Sequence, residues 1–196
     1  QEERTMPRQT GHGTVELWDD FLLSADHTGW NDNTENSGTT AQLANREDGY
    51  IELTTGTTIG NRSQITGERV FRSESGGPLT FECAAVMITD VTEKGVFYGF
   101  TDVTTIENPI EVTVASDLLT TTATDGVGII FDEDQSTTDR YFLVGVDSDV
   151  DAGGNGVMAA TFAASISSPT SGTDQAFKVV VDTAGAAHFF IDETEV

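Results

Sequence analysis

The chain has 196 residues and a formal charge of −24, with 33 acidic side chains against 9 basic ones. Such a negative field repels nucleic acid and anionic membrane surfaces, so neither is expected as a partner. The single cysteine, Cys83, excludes an internal disulfide, and no apolar stretch approaches the length of a membrane span.

The charge is uneven along the chain. Up to Arg72 there are 12 acidic and 6 basic residues, a balance of −6, whereas Ser73 to Val196 carry 21 acidic residues against 3 basic ones, a balance of −18. Residues 1–14, QEERTMPRQTGHGT, lack any apolar pattern and read as an extended arm that is too polar for a signal peptide. Arg4 and Arg8 make this arm the least acidic part of the chain, suited to reaching an acidic neighbouring subunit. The remainder, 15–196, reads as a single all-β domain.

Val15 to Leu23 alternates briefly and carries Trp18, an interface or core anchor by its large apolar area. Trp30 is expected in a turn, followed by a polar loop from Asn31 to Thr40 and a short strand over Tyr50 to Thr54. Arg62, Arg69 and Arg72 form a basic segment expected to pair with acidic neighbours, within one subunit or between subunits.

Leu79 to Asp90 predicts a long, central strand with Phe81, Cys83, Ala85 and Met87 on one face. On that face Cys83 behaves as a small buried hydrophobe. Gly95 to Thr101 is expected to pair with it through the turn Thr92-Glu93-Lys94-Gly95. Thr104 to Thr124 is a Thr-rich connection with an edge strand at Ile110 to Val114.

The clearest signal is the stretch DGVGIIFDEDQSTTDRYFLVGVDSDVD, Asp125 to Asp151. Two runs rich in β-branched and aromatic residues, Val127 to Phe131 and Tyr141 to Val146, flank a polar loop and predict a hairpin. Both faces of both runs are apolar or small, which places the pair in the interior of a sheet. Val157 to Phe162, Phe177 to Asp182 and Ala187 to Asp192 add three further strands. The sum is ten to twelve strands in two antiparallel sheets, a β-sandwich.

The run Asp125-Gly126-Val127-Gly128-Ile129-Ile130-Phe131-Asp132, with Thr138-Asp139 and the Tyr141 to Val146 strand, resembles concanavalin A-like β-sandwich proteins among the virion structural proteins of tailed bacteriophages. Similar pieces occur in the same order: Trp18-Asp19-Asp20-Phe21 with Trp30, Gly49 to Gly56, Gly60-Asn61, Phe81-Glu82, Gly99-Phe100-Thr101-Asp102 and Phe189-Phe190-Ile191-Asp192. The resemblance implies a jelly-roll sandwich, a place on the capsid surface, and partners that are copies of this chain and other capsid proteins. It also implies strands beyond Val196, supplied by further residues or by another chain.

Asp147, Asp149 and Asp151 read as alternating on one strand face before the turn Gly153-Gly154-Asn155-Gly156, a candidate loop site for calcium. Ala152 and Met158 stand where a helix-loop-helix calcium motif needs Gly and a bidentate acid, which excludes that motif. The same triplet lacks the Glu and the neighbouring Trp of a sandwich glucanase, and His12, His27 and His188 show no triad or metal spacing. A non-enzymatic structural protein with no cofactor is therefore expected. The rival reading is a lectin-like module that binds a glycan, with calcium, for host attachment.

Overall fold

Alternating apolar residues without helical periodicity leave the backbone one way to satisfy its polar groups, by pairing strands. The computed structural model describes residues 30–42, 49–57, 61–67, 77–88, 95–106, 109–113, 118–132, 140–147, 150–151 and 169–196. Among them the regular elements are all strands, and every pairing is antiparallel. The expected arm at 1–14 and the expected strands at Val15 to Leu23 and Val157 to Phe162 lie outside the described residues. The chain divides into two compact units, Gln1–Arg72 and Ser73–Val196. Their boundary is the residue at which the charge balance steps from −6 to −18.

The first unit holds β1 (Trp30–Glu35), β2 (Thr39–Gln42), β3 (Ile51–Thr54) and β4 (Arg62–Gly67). β1 pairs with β4, placing Glu35 opposite Arg62, and β2 pairs with β3. The expected loop from Asn31 to Thr40 is thus mostly strand, and Trp30 opens β1 instead of sitting in a turn. Backbone pairing with β4 overrides the low strand propensity of WNDNTE. β1 passes to β2 through a tight turn in which Gly38 N–H donates to the Glu35 carbonyl at 3.0 Å and Asn36 adopts φ 58°. A Cβ on Gly38 would collide with the Arg62 carbonyl oxygen, so only glycine lets β4 come this close.

The second unit holds β5 (Leu79–Val86), β6 (Gly95–Thr101), β7 (Ile110–Thr113), β8 (Leu118–Thr121), β9 (Gly126–Asp132), β10 (Arg140–Asp147), β11 (Val150–Asp151), β12 (Asp174–Val181), β13 (Ala187–Ile191) and β14 (Thr194–Glu195). One four-stranded sheet runs β11-β10-β9-β6 and the other β14-β13-β12-β5, with β7 and β8 as a separate hairpin. The β9–β10 hairpin forms as the sequence predicts, with Tyr141 opposite Phe131 and Leu143 opposite Ile129. β9 lies between β10 and β6, in the interior of its sheet.

Two expectations fail here. β5 does not pair with β6, and β5 is not central: it pairs with β12 over eight positions and ends its sheet among the described strands. β6 pairs instead with β9. Alternation marks which face of a strand is apolar but not which strand will lie beside it. β5 and β6 consequently face each other across an apolar layer, where the rings of Phe81 and Phe100 meet edge to face at 6.1 Å.

That layer joins the two four-stranded sheets. Ile129, Phe131 and Tyr141 from one sheet and Phe177, Val179 and Ile191 from the other form a single buried cluster, with Phe81, Cys83, Ala85 and Met87 against it. Each large side chain so buried contributes about 1.5–3 kcal/mol. The opposite face of the β9 sheet is also covered. Ile130, Phe142, Val144 and Val146 pack with Ile110 and Ala123, which come from the β7–β8 region. This explains why both faces of the hairpin are apolar: a sheet with a layer on each side needs apolar residues at every position. The Thr-rich connection therefore contains an edge strand as expected, but also β8 and a second core. Pro109 fixes that region by accepting Thr122 and Ala123 N–H groups at 3.0 Å each.

Candidate functional site

Of the acidic triplet, Asp147 and Asp151 fall on described strands. The chain reverses between β10 and β11, so that Asp147 lies opposite Val150 and Asp151 opposite Val146. Successive pairs of a ladder alternate between faces, which puts Asp147 and Asp151 at non-facing positions. Asp147 is exposed at the end of β10, and Asp149 lies outside the described residues. Among the described residues no three His, Cys, Asp or Glu side chains are gathered so as to hold a metal ion.

Of the basic residues singled out in the sequence, Arg62 is described. Its guanidinium donates to Glu35 Oε2 at 3.3 Å across the β1–β4 ladder, with both side chains more than a third exposed. Pairs of this kind contribute little to stability. Arg4, Arg8, Trp18, Arg69 and Arg72 lie outside the described residues.

Among the described residues, the interior of the second unit holds Cys83, Tyr98 and Tyr141. Burial pushes the Cys83 thiol up to about 12, with the neighbouring Glu82 carboxylate adding to the effect. At neutral pH it is a thiol and not a thiolate, so it is a poor nucleophile. Tyr98 stacks on Phe177 with ring centroids 4.3 Å apart and planes 8° from parallel, and Tyr141 meets the same ring edge-on at 5.2 Å. Burial raises both phenols above their ordinary range. The Tyr141 hydroxyl donates to Gln175 Oε1 at 2.7 Å, a hydrogen bond from one sheet to the other. These groups are committed to packing.

The outward face of the β12 sheet carries the remaining charged constellation. Strand parity places Glu82, Lys178, Asp182 and His188 there, while Phe81, Cys83, Phe177 and Val179 point inward. Lys178 Nζ lies 3.4 Å from Glu82 Oε2 on the adjacent strand. His188 lies between two acids, with Nδ1 3.0 Å from Glu195 Oε1 and Nε2 3.8 Å from Asp182 Oδ2. Cys83 and His188 thus occupy opposite faces of one sheet and form no thiolate–imidazole pair. Asp182 is itself fixed by the β12–β13 turn, where its Oδ1 accepts the Ala184 and Ala186 N–H groups at 2.8 and 2.9 Å.

From the sequence His188 shows no triad or metal spacing. Its partners lie six residues before and seven after, a spacing that carries no motif. They meet because β13 is the middle strand of a meander: the β12–β13 turn brings Asp182 alongside, and the two-residue Asp192-Glu193 turn brings Glu195 back.

No protein-family profile matches the chain, and neither the curated proteins nor the solved structures contain a match to it.

Proposed function

We propose that this chain is a non-enzymatic structural protein, a concanavalin A-like β-sandwich that decorates or cements a bacteriophage capsid beside copies of itself. The observation that carries the reading is the commitment of Cys83, Tyr98 and Tyr141, among the described residues of the second unit, to packing. The buried thiol of Cys83 is held protonated, Tyr98 and Tyr141 are wedged against Phe177, and the sheet between Cys83 and His188 keeps the thiol and the imidazole apart. The sequence resemblance, running from Trp18 to Asp192, supplies the capsid role and the jelly-roll topology. A strongly acidic surface is consistent with a soluble shell component that adheres to basic partners and not to nucleic acid.

The test is immunogold labelling of purified tailed phage particles with antibody raised against this chain. Regular labelling over the capsid is expected. Absence from particles, together with chelator-sensitive binding on a glycan array, would replace this reading with the lectin-like one.

A further inference from the structure

We infer that His188, clamped between Asp182 and Glu195, is a protonation-dependent latch that holds β14 against β13 on the outward face of the β12 sheet. β14 is a two-residue strand, and its pairing with β13 is limited to Phe190 opposite Glu195 and Ile191 opposite Thr194. The turn that returns it, Asp192-Glu193, places both residues at positive φ, 50° and 64°, without a glycine. That geometry suits a tight hairpin but is disfavoured for Glu. Side-chain contacts must therefore support β14.

Two contacts do so. Val196 N–H donates to the Phe189 carbonyl at 3.0 Å, and the Val196 side chain packs on the inter-sheet cluster. The Glu195 carboxylate meets His188 Nδ1 at 3.0 Å. On its far side the imidazole faces Asp182, whose position is set by two backbone hydrogen bonds and does not depend on the latch. Only the imidazolium has a proton on both nitrogens; the neutral ring can donate to one acid and leaves the other carboxylate facing a lone pair.

Among the described residues the groups that bear on the ring come from β12 and β14. From β12 it faces Asp182, with Val180 directly opposite and Lys178 one pair further along, the latter engaged by Glu82 of β5. From β14 it faces Glu195. The hydrogen bond to Glu195 is the largest influence holding the imidazole above its ordinary value of 6.5, followed by the charges of Glu195 and Asp182. A raised imidazole stabilises the folded arrangement below its ordinary value, and that contribution is lost as pH rises through the raised one. Asp182 acts in the opposite sense. Its carboxyl is held low, chiefly by the Ala186 N–H, so its contribution persists above 3.8 and is lost only in stronger acid. The latch is closed below the ordinary imidazole value of 6.5 and opens as pH rises through the raised one. Opening frees the β13 edge, including the Phe189 carbonyl, for pairing with another strand.

The test is amide hydrogen exchange of the full chain, read by NMR at Val196 and at Val179 as an internal reference, from about pH 5.5 to about pH 9, the interval that brackets imidazole titration. With rates corrected for their intrinsic pH dependence, protection at Val196 is expected to fall about two- to fivefold on the alkaline side, the range of an exposed ion pair. Protection at Val179 stays level. In His188→Gln the step at Val196 disappears. A Val196 protection that ignores pH in the parent protein, or an identical step in His188→Gln, overturns the proposal.

Discussion

Phe177 is the residue through which the packing of the two four-stranded sheets is best tested. It lies on β12, is 1 % exposed, stacks on Tyr98 of β6 and meets Tyr141 of β10, so it touches both strands that flank β9 in the facing sheet. Phe177→Ala removes a buried ring and leaves a cavity bounded by two further rings, which costs about 3–5 kcal/mol. A unit of this size has a total stability of about 5–15 kcal/mol, so the variant is severely weakened or unfolded. Phe177→Leu, which keeps most of the volume, is the gentler probe. Combined with Tyr98→Leu in a double-mutant cycle, it isolates the stacking between sheets, expected at about 0.5–1.5 kcal/mol. Urea denaturation followed by tyrosine fluorescence supplies each free energy. A loss below about 1 kcal/mol for Phe177→Ala, or strictly additive effects of the Phe177 and Tyr98 substitutions, would refute the face-to-face packing.

Tyr141→Phe deletes the donor to Gln175 and is expected to cost about 0.5–1.5 kcal/mol by the same urea assay, with no change of fold by circular dichroism. Gly99→Ala is expected to cost more than about 2 kcal/mol, because its Cβ would strike the Val127 carbonyl oxygen on the neighbouring strand; thermal melting reads the loss. Cys83 is expected to resist thiol reagents at pH 8 in the folded protein and to react fully in urea. Its raised thiol also means that stability falls as pH climbs past the ordinary value of 9.0, where the unfolded chain releases a proton that the folded one retains. A pH-independent unfolding midpoint between about pH 9 and about pH 11 would contradict that burial.

The β9–β10 hairpin was legible residue by residue, because apolar or small residues at every position, rich in β-branched and aromatic types, state both the strand and its burial on two faces. The inward face of β5 was equally plain from the parity of Phe81, Cys83 and Ala85. Pairing was not legible. β5 and β6 are neighbours in sequence with compatible patterns, yet each finds a partner elsewhere, since alternation encodes a face and leaves the lateral neighbour to tertiary packing. Strands made of polar residues, such as Trp30–Glu35, give no apolar signal at all. Within the acidic triplet, a periodicity of two suggested one continuous strand, whereas the chain turns between Asp147 and Val150. The His188 cluster escaped because it depends on two turns, one of which uses Asp and Glu at positive φ where glycine or asparagine would have announced it.

The proposed role makes this chain a repeated component of a particle and not a catalyst or a soluble receptor. Quantitative mass spectrometry of purified phage virions, calibrated with peptides from this chain such as those spanning Tyr141 to Val146, tests it most directly. Many copies per particle, in fixed ratio to the principal shell protein, is the predicted result. Particles that lack the chain, or carry it only in traces, would contradict it.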